Sequence, residues 1–145
     1  MRERHIAVFD TIREDCEATA EAVRECHDRR GERAVVKAFT DSQRFLADFR
    51  DRHYDMAFVA LNSPLDLAVA RGAARSDKSC PLVFVSGSGD YAVEAFNLTA
   101  LDYLLKPVTR ERAEDAVSRA APPDQVHSAT RKKFILKEAG YEELF

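Results

Sequence analysis

Five short, almost continuously apolar runs, each followed by a stretch of helical period, constrain this chain more than any other feature. They are residues 6–9, 34–39, 56–61, 82–85 and 101–105. A strand that is apolar at successive positions is buried on both faces, which requires layers above and below the sheet. Between the runs, residues 14–29 repeat at helical spacing, with Ala20, Val23 and Cys26 or His27 inward and Gly31 as the C-cap. Thr40, Asp41, Ser42 and Gln43 have the spacing of a capping box with Thr40 as cap, opening a helix that carries Phe45, Leu46 and Phe49. Residues 64–74 form an alanine-rich helix and residues 91–96 a short one. Thr109 caps a last helix over 110–120, and Pro107, which cannot donate to a ladder, ends the fifth strand.

Alternating strands and helices at this spacing imply βαβ crossovers and a parallel sheet. The expected fold is therefore α/β, a flavodoxin-like (βα)5 doubly wound sheet in the order 2-1-3-4-5. One domain over residues 1–121 suits a chain of 145 residues. Residues 122–131, opening with Pro122-Pro123, read as a linker, and residues 132–145 as the start of a further unit. The formal charge of −3 gives no electrostatic reason for the whole chain to bind nucleic acid. No window approaches the ~20 apolar residues of a membrane span, and the N-terminus has no signal-peptide core. Cys16 and Cys26 fall ten positions apart on one helix, roughly 15 Å, too far to bridge. Three cysteines without a framework suit a reducing compartment, so the expected location is the cytoplasm.

Two stretches carry a specific motif. Asp90-Tyr91-Ala92-Val93-Glu94-Ala95-Phe96 is followed by Ala100-Leu101-Asp102-Tyr103-Leu104-Leu105-Lys106-Pro107. With 6–10, 55–64 and 81–86, this pattern resembles bacterial two-component receiver domains, above all those preceding LytTR-type DNA-binding domains. The family's phosphorylation machinery consists of two adjacent acids after strand one, an acceptor aspartate after strand three, a hydroxyl after strand four and a lysine after strand five. Here Asp10 matches the first acid, but the second position holds Thr11. The acceptor position, four residues before Pro64, holds Ala60. Ser86 matches the hydroxyl, Lys106 the lysine and Tyr103 the switch aromatic. The resemblance also implies a cis bond between Lys106 and Pro107.

Charge arithmetic points the same way. Three carboxylates and one lysine leave an excess of negative charge that suits a divalent ion, whereas Asp10 and Lys106 alone leave a neutral remnant. One carboxylate committed to a lysine is a poor Mg²⁺ site, so no metal and no cofactor is expected. Alanine offers no nucleophile, and neither Ser63 nor Thr11 has an adjacent base, so the expectation is no enzyme. Ser86 reads more simply as a hydroxyl satisfying its turn, and Lys106 as a cation paired with Asp10. The turn at 86–89 lacks phosphate-loop spacing, and the histidines and cysteines lack ligand spacing, His27 and His53 reading as surface residues near helix ends.

The family's output face lies on the fourth helix, fifth strand and fifth helix. Val93, Phe96 and Leu98 would give it apolar surface, and Glu94, Asp102, Arg110, Arg112 and Arg119 charges of both signs, a composition suited to a symmetric dimer. A sensor kinase or another regulatory protein is the other expected partner. After the linker, Arg131-Lys132-Lys133 and the run 134–136 resemble the opening of a LytTR domain. The stop at Leu144-Phe145 suggests truncation before the reading head, so DNA would be reached only through a domain absent from this chain. The expected function is a pseudo-receiver of a LytTR-type transcriptional regulator, working by dimerisation or partner binding without aspartyl phosphorylation. The alternative is a sensor of a small molecule or anion, held in the space beside Ala60 and Thr11.

Overall fold

The computed structural model describes residues 3–120. The linker and second-unit readings, including the basic run at 131–133, lie outside the described residues. Within them the elements run β1 (Glu3–Phe9), α1 (Arg13–Arg29), β2 (Arg33–Phe39), α2 (Ser42–Asp51), β3 (Met56–Ala60), α3 (Pro64–Ser76), β4 (Leu82–Ser86), α4 (Ala92–Asn97), β5 (Asp102–Leu105) and α5 (Arg110–Ala120). All ladder pairs are parallel and the order is β2-β1-β3-β4-β5, as the alternation predicts.

The apolar runs split by alternate residues between two cores. Ala7, Phe9, Val59, Phe84 and Tyr103 face one, packed by α2, α3 and α4. Ile6, Val8, Phe58, Val85 and Leu104 face the other, packed by α1 and α5. This two-sided burial is why β3 is apolar throughout and β1 is apolar from Ile6 to Phe9. Phe45 on α2 stacks on Phe9 with ring centroids 5.2 Å apart and meets Phe49 at 5.4 Å, and Phe49 stacks on Tyr54 at 5.9 Å. This aromatic row anchors β1 one residue before its functional end. Cys16 and Cys26 are free and buried in the second core.

Helix ends refine three expectations. At α2 the cap is Asp41, not Thr40: its carboxylate accepts from the amides of Gln43 and Arg44, so the acid one position later takes both donors. At α1 the cap residue is Arg30, and Gly31 follows with φ +69°. The amide of Gly31 bonds the Asp28 carbonyl and that of Glu32 the His27 carbonyl, a Schellman closure that needs the left-handed residue. His27 is not a surface residue. It is buried, because the returning chain brings the Glu32 carboxylate 2.8 Å from its Nδ1.

Candidate functional site

Parallel strands bring their carboxyl ends to one edge of the sheet, so β1, β3, β4 and β5 deliver their following residues to a common rim. Asp10 leaves β1 there with 1% of its surface exposed. Its Oδ1 accepts from the Ile12 amide at 2.9 Å and from Asn62 Nδ2 at 2.8 Å. Its Oδ2 lies 2.8 Å from Lys106 Nζ, an ion pair rather than a well-angled hydrogen bond. Lys106 also donates to Asp15 Oδ2 at 2.7 Å and to Asn62 Oδ1 at 2.9 Å. Three oxygens from three separate segments therefore surround one ammonium, which has three protons to give.

Asp15 changes the charge count. Asp10 and Lys106 are not a neutral remnant: the first turn of α1 adds a second carboxylate, so two acids share the lysine. Burial works against the lysine's charge, but its contacts with Asp10 and then Asp15 outweigh it and hold the ammonium above the usual lysine value.

Ala60 ends β3, buried, opposite Val85 in the ladder. Asn62, two residues on, spans the rim, and its Nδ2 also approaches Thr11 Oγ1 at 3.2 Å. The loop is held by Asp66 in the first turn of α3, whose carboxylate accepts from the Asn62 amide at 2.7 Å. Ser86 turns its hydroxyl inward, donating to the Leu61 carbonyl at 2.9 Å and accepting from the Ser88 amide at 3.4 Å. Tyr103 is fully buried, its hydroxyl donating to the Ser88 carbonyl at 2.7 Å. The Lys106–Pro107 bond is cis.

On the expected output face, Val93 is exposed, and Glu94, Phe96, Leu98, Arg110, Arg112 and Arg119 are half-buried. Asp102 is an exception. It is wholly buried and paired with Arg119 of α5, so its carboxylate is spent inside the chain and is not surface charge. Arg110 pairs along its own helix with Glu111 at 3.0 Å and Glu114 at 3.7 Å.

No family model matches the chain. Over 68 residues, 46% of this chain, it is 35% identical to the transcriptional regulatory protein LytR of Staphylococcus aureus, a stretch that is 28% of that protein. It is 36% identical over 70 residues to the sensory transduction protein LytR of Staphylococcus haemolyticus, covering 46% of this chain and 27% of that one. The matched stretch thus spans under a third of either relative. Among solved structures, a response regulator receiver domain from Clostridium thermocellum superposes with TM-score 0.67 at 19% identity, over 84% of this chain and 97% of that one. A CheY-like receiver domain from Methanospirillum hungatei gives 0.65 at 15% identity, over 92% and 99%. The chain has the receiver fold. A putative CpaE2 pilus assembly protein from Sinorhizobium meliloti shares it as well, with TM-score 0.64 at 22% identity, over 80% and 98%.

Two members of the rim cluster escape sequence reading. Asn62 lies two positions beyond Ala60, and an amide there is the one signal available. Asp15 lies 91 residues from Lys106, and only the docking of α1 over the strand ends brings them together.

Three depressed carboxylates elsewhere set an acid limit. Burial opposes ionisation of Glu32, but bonding from His27 and the charge of Arg30 take it below its usual 4.5. Asp48 is likewise opposed by burial and held below 3.8 by Tyr54, Lys37 and Arg52; Asp77 is lowered first by its bonds from Ser79. A carboxylate depressed in the folded state contributes fully above its unfolded value and loses that contribution as pH falls through the folded one. The melting temperature is expected to be level from about pH 5 to 7 and to fall below about pH 4, as a differential scanning calorimetry series would read.

Proposed function

We propose that this chain is a regulatory receiver-fold module of a LytTR-type transcriptional regulator that takes no phosphoryl group at strand three and acts by docking. The observation that carries the reading is the ammonium of Lys106, held by Asp10, Asp15 and Asn62 at the rim where Ala60 offers no nucleophile. Lys106 donates to Asp15 and Asn62 and its charge is matched by Asp10, so the ammonium is committed within the chain and little of it is left for a phosphoryl group. Mg²⁺ does not fit this arrangement. It needs near-octahedral oxygens at about 2.0–2.1 Å, and the oxygens that could serve already surround a tethered cation. The similarity to the LytR proteins supports the regulatory setting, and a cytoplasmic place of action belongs to the same proposal. No helix among the described residues is long and apolar enough to cross a membrane.

Docking has two arms: a symmetric dimer through α4, β5 and α5, with exposed Val93 beside half-buried Phe96 and Leu98, and a partner such as a sensor kinase or another regulatory protein. DNA would be engaged through another domain of the regulator. The competing reading, a sensor of a small anion beside Ala60, is weakened by Asn62, which bridges Asp10, Thr11 and Lys106 across that space.

Thermal shift with Mg²⁺ and beryllofluoride tests the central claim, since any ligand of the folded state raises its melting temperature. The expected change is below about 1 °C. A rise of several degrees that requires both additives would sink the reading, and a specific rise with phosphate, sulfate or a metabolite would move it to the anion sensor. Sedimentation over a concentration series addresses the dimer, and a monomer throughout removes that arm.

A further inference from the structure

At the opposite pole of the sheet from the rim lies an open groove of about 500 Å³ between the end of α3, the start of β4 and the turn after α4. Its floor is apolar, formed by Ala74, Leu82 and Leu98. Its edge is cationic. Arg71 and Arg75 stand one turn apart on α3, and Lys78 follows in the loop, all three exposed. None of the three has a carboxylate partner within 4 Å among the described residues. The single acid at the groove, Asp77, is already engaged by the amide and hydroxyl of Ser79 at 2.9 and 2.6 Å and by His53 at 3.4 Å. The groove therefore sets three cations against one carboxylate, an excess of two positive charges over an apolar bed.

We propose that this groove docks a short acidic segment of a partner protein, carrying leucine-like side chains between its carboxylates. Charge complementarity selects the acid, and the floor selects the apolar residues. A lone inorganic anion fits poorly, because every cation here is exposed and an ion would stay hydrated. Duplex nucleic acid fits poorly too, since three phosphate contacts give little binding at physiological salt. A second copy could offer the exposed acidic row of α1, Glu14, Glu17 and Glu21, but no large apolar side chain lies between those residues to fill the floor. This surface is independent of the rim cluster, and its occupant needs neither phosphorylation nor the α4–β5–α5 dimer.

The probe is a fluorescein-labelled Glu-Asp-Leu-Leu-Glu-Asp peptide titrated by fluorescence anisotropy against the full chain. Saturable binding is expected, weakening by about tenfold or more in the Arg71→Glu, Arg75→Glu double variant. Both side chains are exposed, so the variant's melting temperature should match the parent's and separate lost docking from lost folding. In ¹⁵N spectra the peptide should shift the amides of Asn97 and Thr99, which line the far wall. No saturation by about 1 mM, or binding unchanged in the double variant, overturns the proposal. So does equal binding of a Glu-Asp-Ser-Ser-Glu-Asp peptide, which would leave the floor without a role. Tighter binding of duplex DNA with the same arginine dependence, or self-association of the chain that the double variant abolishes, would assign the groove to those occupants instead and equally overturn it.

Discussion

Replacing Lys106 with methionine is expected to remove about 3–5 kcal/mol of stability, because it leaves a buried carboxylate without its cation. Methionine keeps the length and the apolar stem, so the loss reports charge rather than packing. Asp10 sits almost wholly inside, and its remaining partners are one backbone amide and the Asn62 side chain. Urea denaturation should show a lower midpoint at an unchanged slope. Two further readouts separate this cause from general damage. The deficit should shrink when Asp10→Asn is added, since that removes the orphaned charge. MgCl₂ should also raise the melting temperature of the variant and not of the parent, since the oxygens of Asp10, Asp15 and Asn62 would then lack a resident cation. A loss below about 1 kcal/mol would mean that water screens the cluster and that the lysine is an ordinary surface partner.

Phe45→Ala should have an effect of similar size, about 3–5 kcal/mol, by a different route. Phe45 has no exposed surface and is the hub of the aromatic row, touching Phe9, Phe39 and Phe49. Removing its ring leaves a cavity bounded by β1, β2 and α2, none of which can close over it without shifting the strand ends. The two substitutions should differ in their response to Asp10→Asn. The Phe45 deficit has no charged partner and should be unchanged by that second substitution, which shrinks the Lys106 deficit. Amide exchange at Asp10 to Ile12 should also quicken in the Phe45 variant, because Phe9 loses its stacked ring one residue earlier. A stability loss under about 1.5 kcal/mol would mean that the neighbouring phenylalanines collapse into the space.

The fold is readable in the chain because both faces of the sheet are covered, so each strand declares itself as an apolar run and each helix by its period. Asp10, Ala60, Ser86 and Lys106 could be placed for the same reason, as each lies at or just beyond the end of such a run. What resists reading depends on how loops and helix faces meet. Asn62 and Asp15 become partners of Lys106 only after α1 and the β3–α3 loop converge. His27 sits near a helix end, where exposure is the default, yet the tight return through Gly31 brings Glu32 back over it. Asp102 looks like surface charge until α5 folds down and Arg119 reaches it. In the capping of α2, two adjacent residues compete, and Asp41 reaches two amides at once. In each case local pattern gave the element, and a contact across distant parts of the chain set the side chain's role.

The edges of the sheet carry a last consequence. Among the described residues β2 is one margin, and it presents Arg33 and Lys37 outward, with Lys37 reaching to Asp48 at 3.4 Å. β5 is the other, and it is only four residues long. Charged and short margins discourage the addition of a foreign strand. Fibril-like stacking and hydrogen-bonded ribbon exchange at these margins are thereby disfavoured, which favours association side chain to side chain, across helices and turns. Such contacts can be loosened one residue at a time, which leaves their strength open to gradual adjustment.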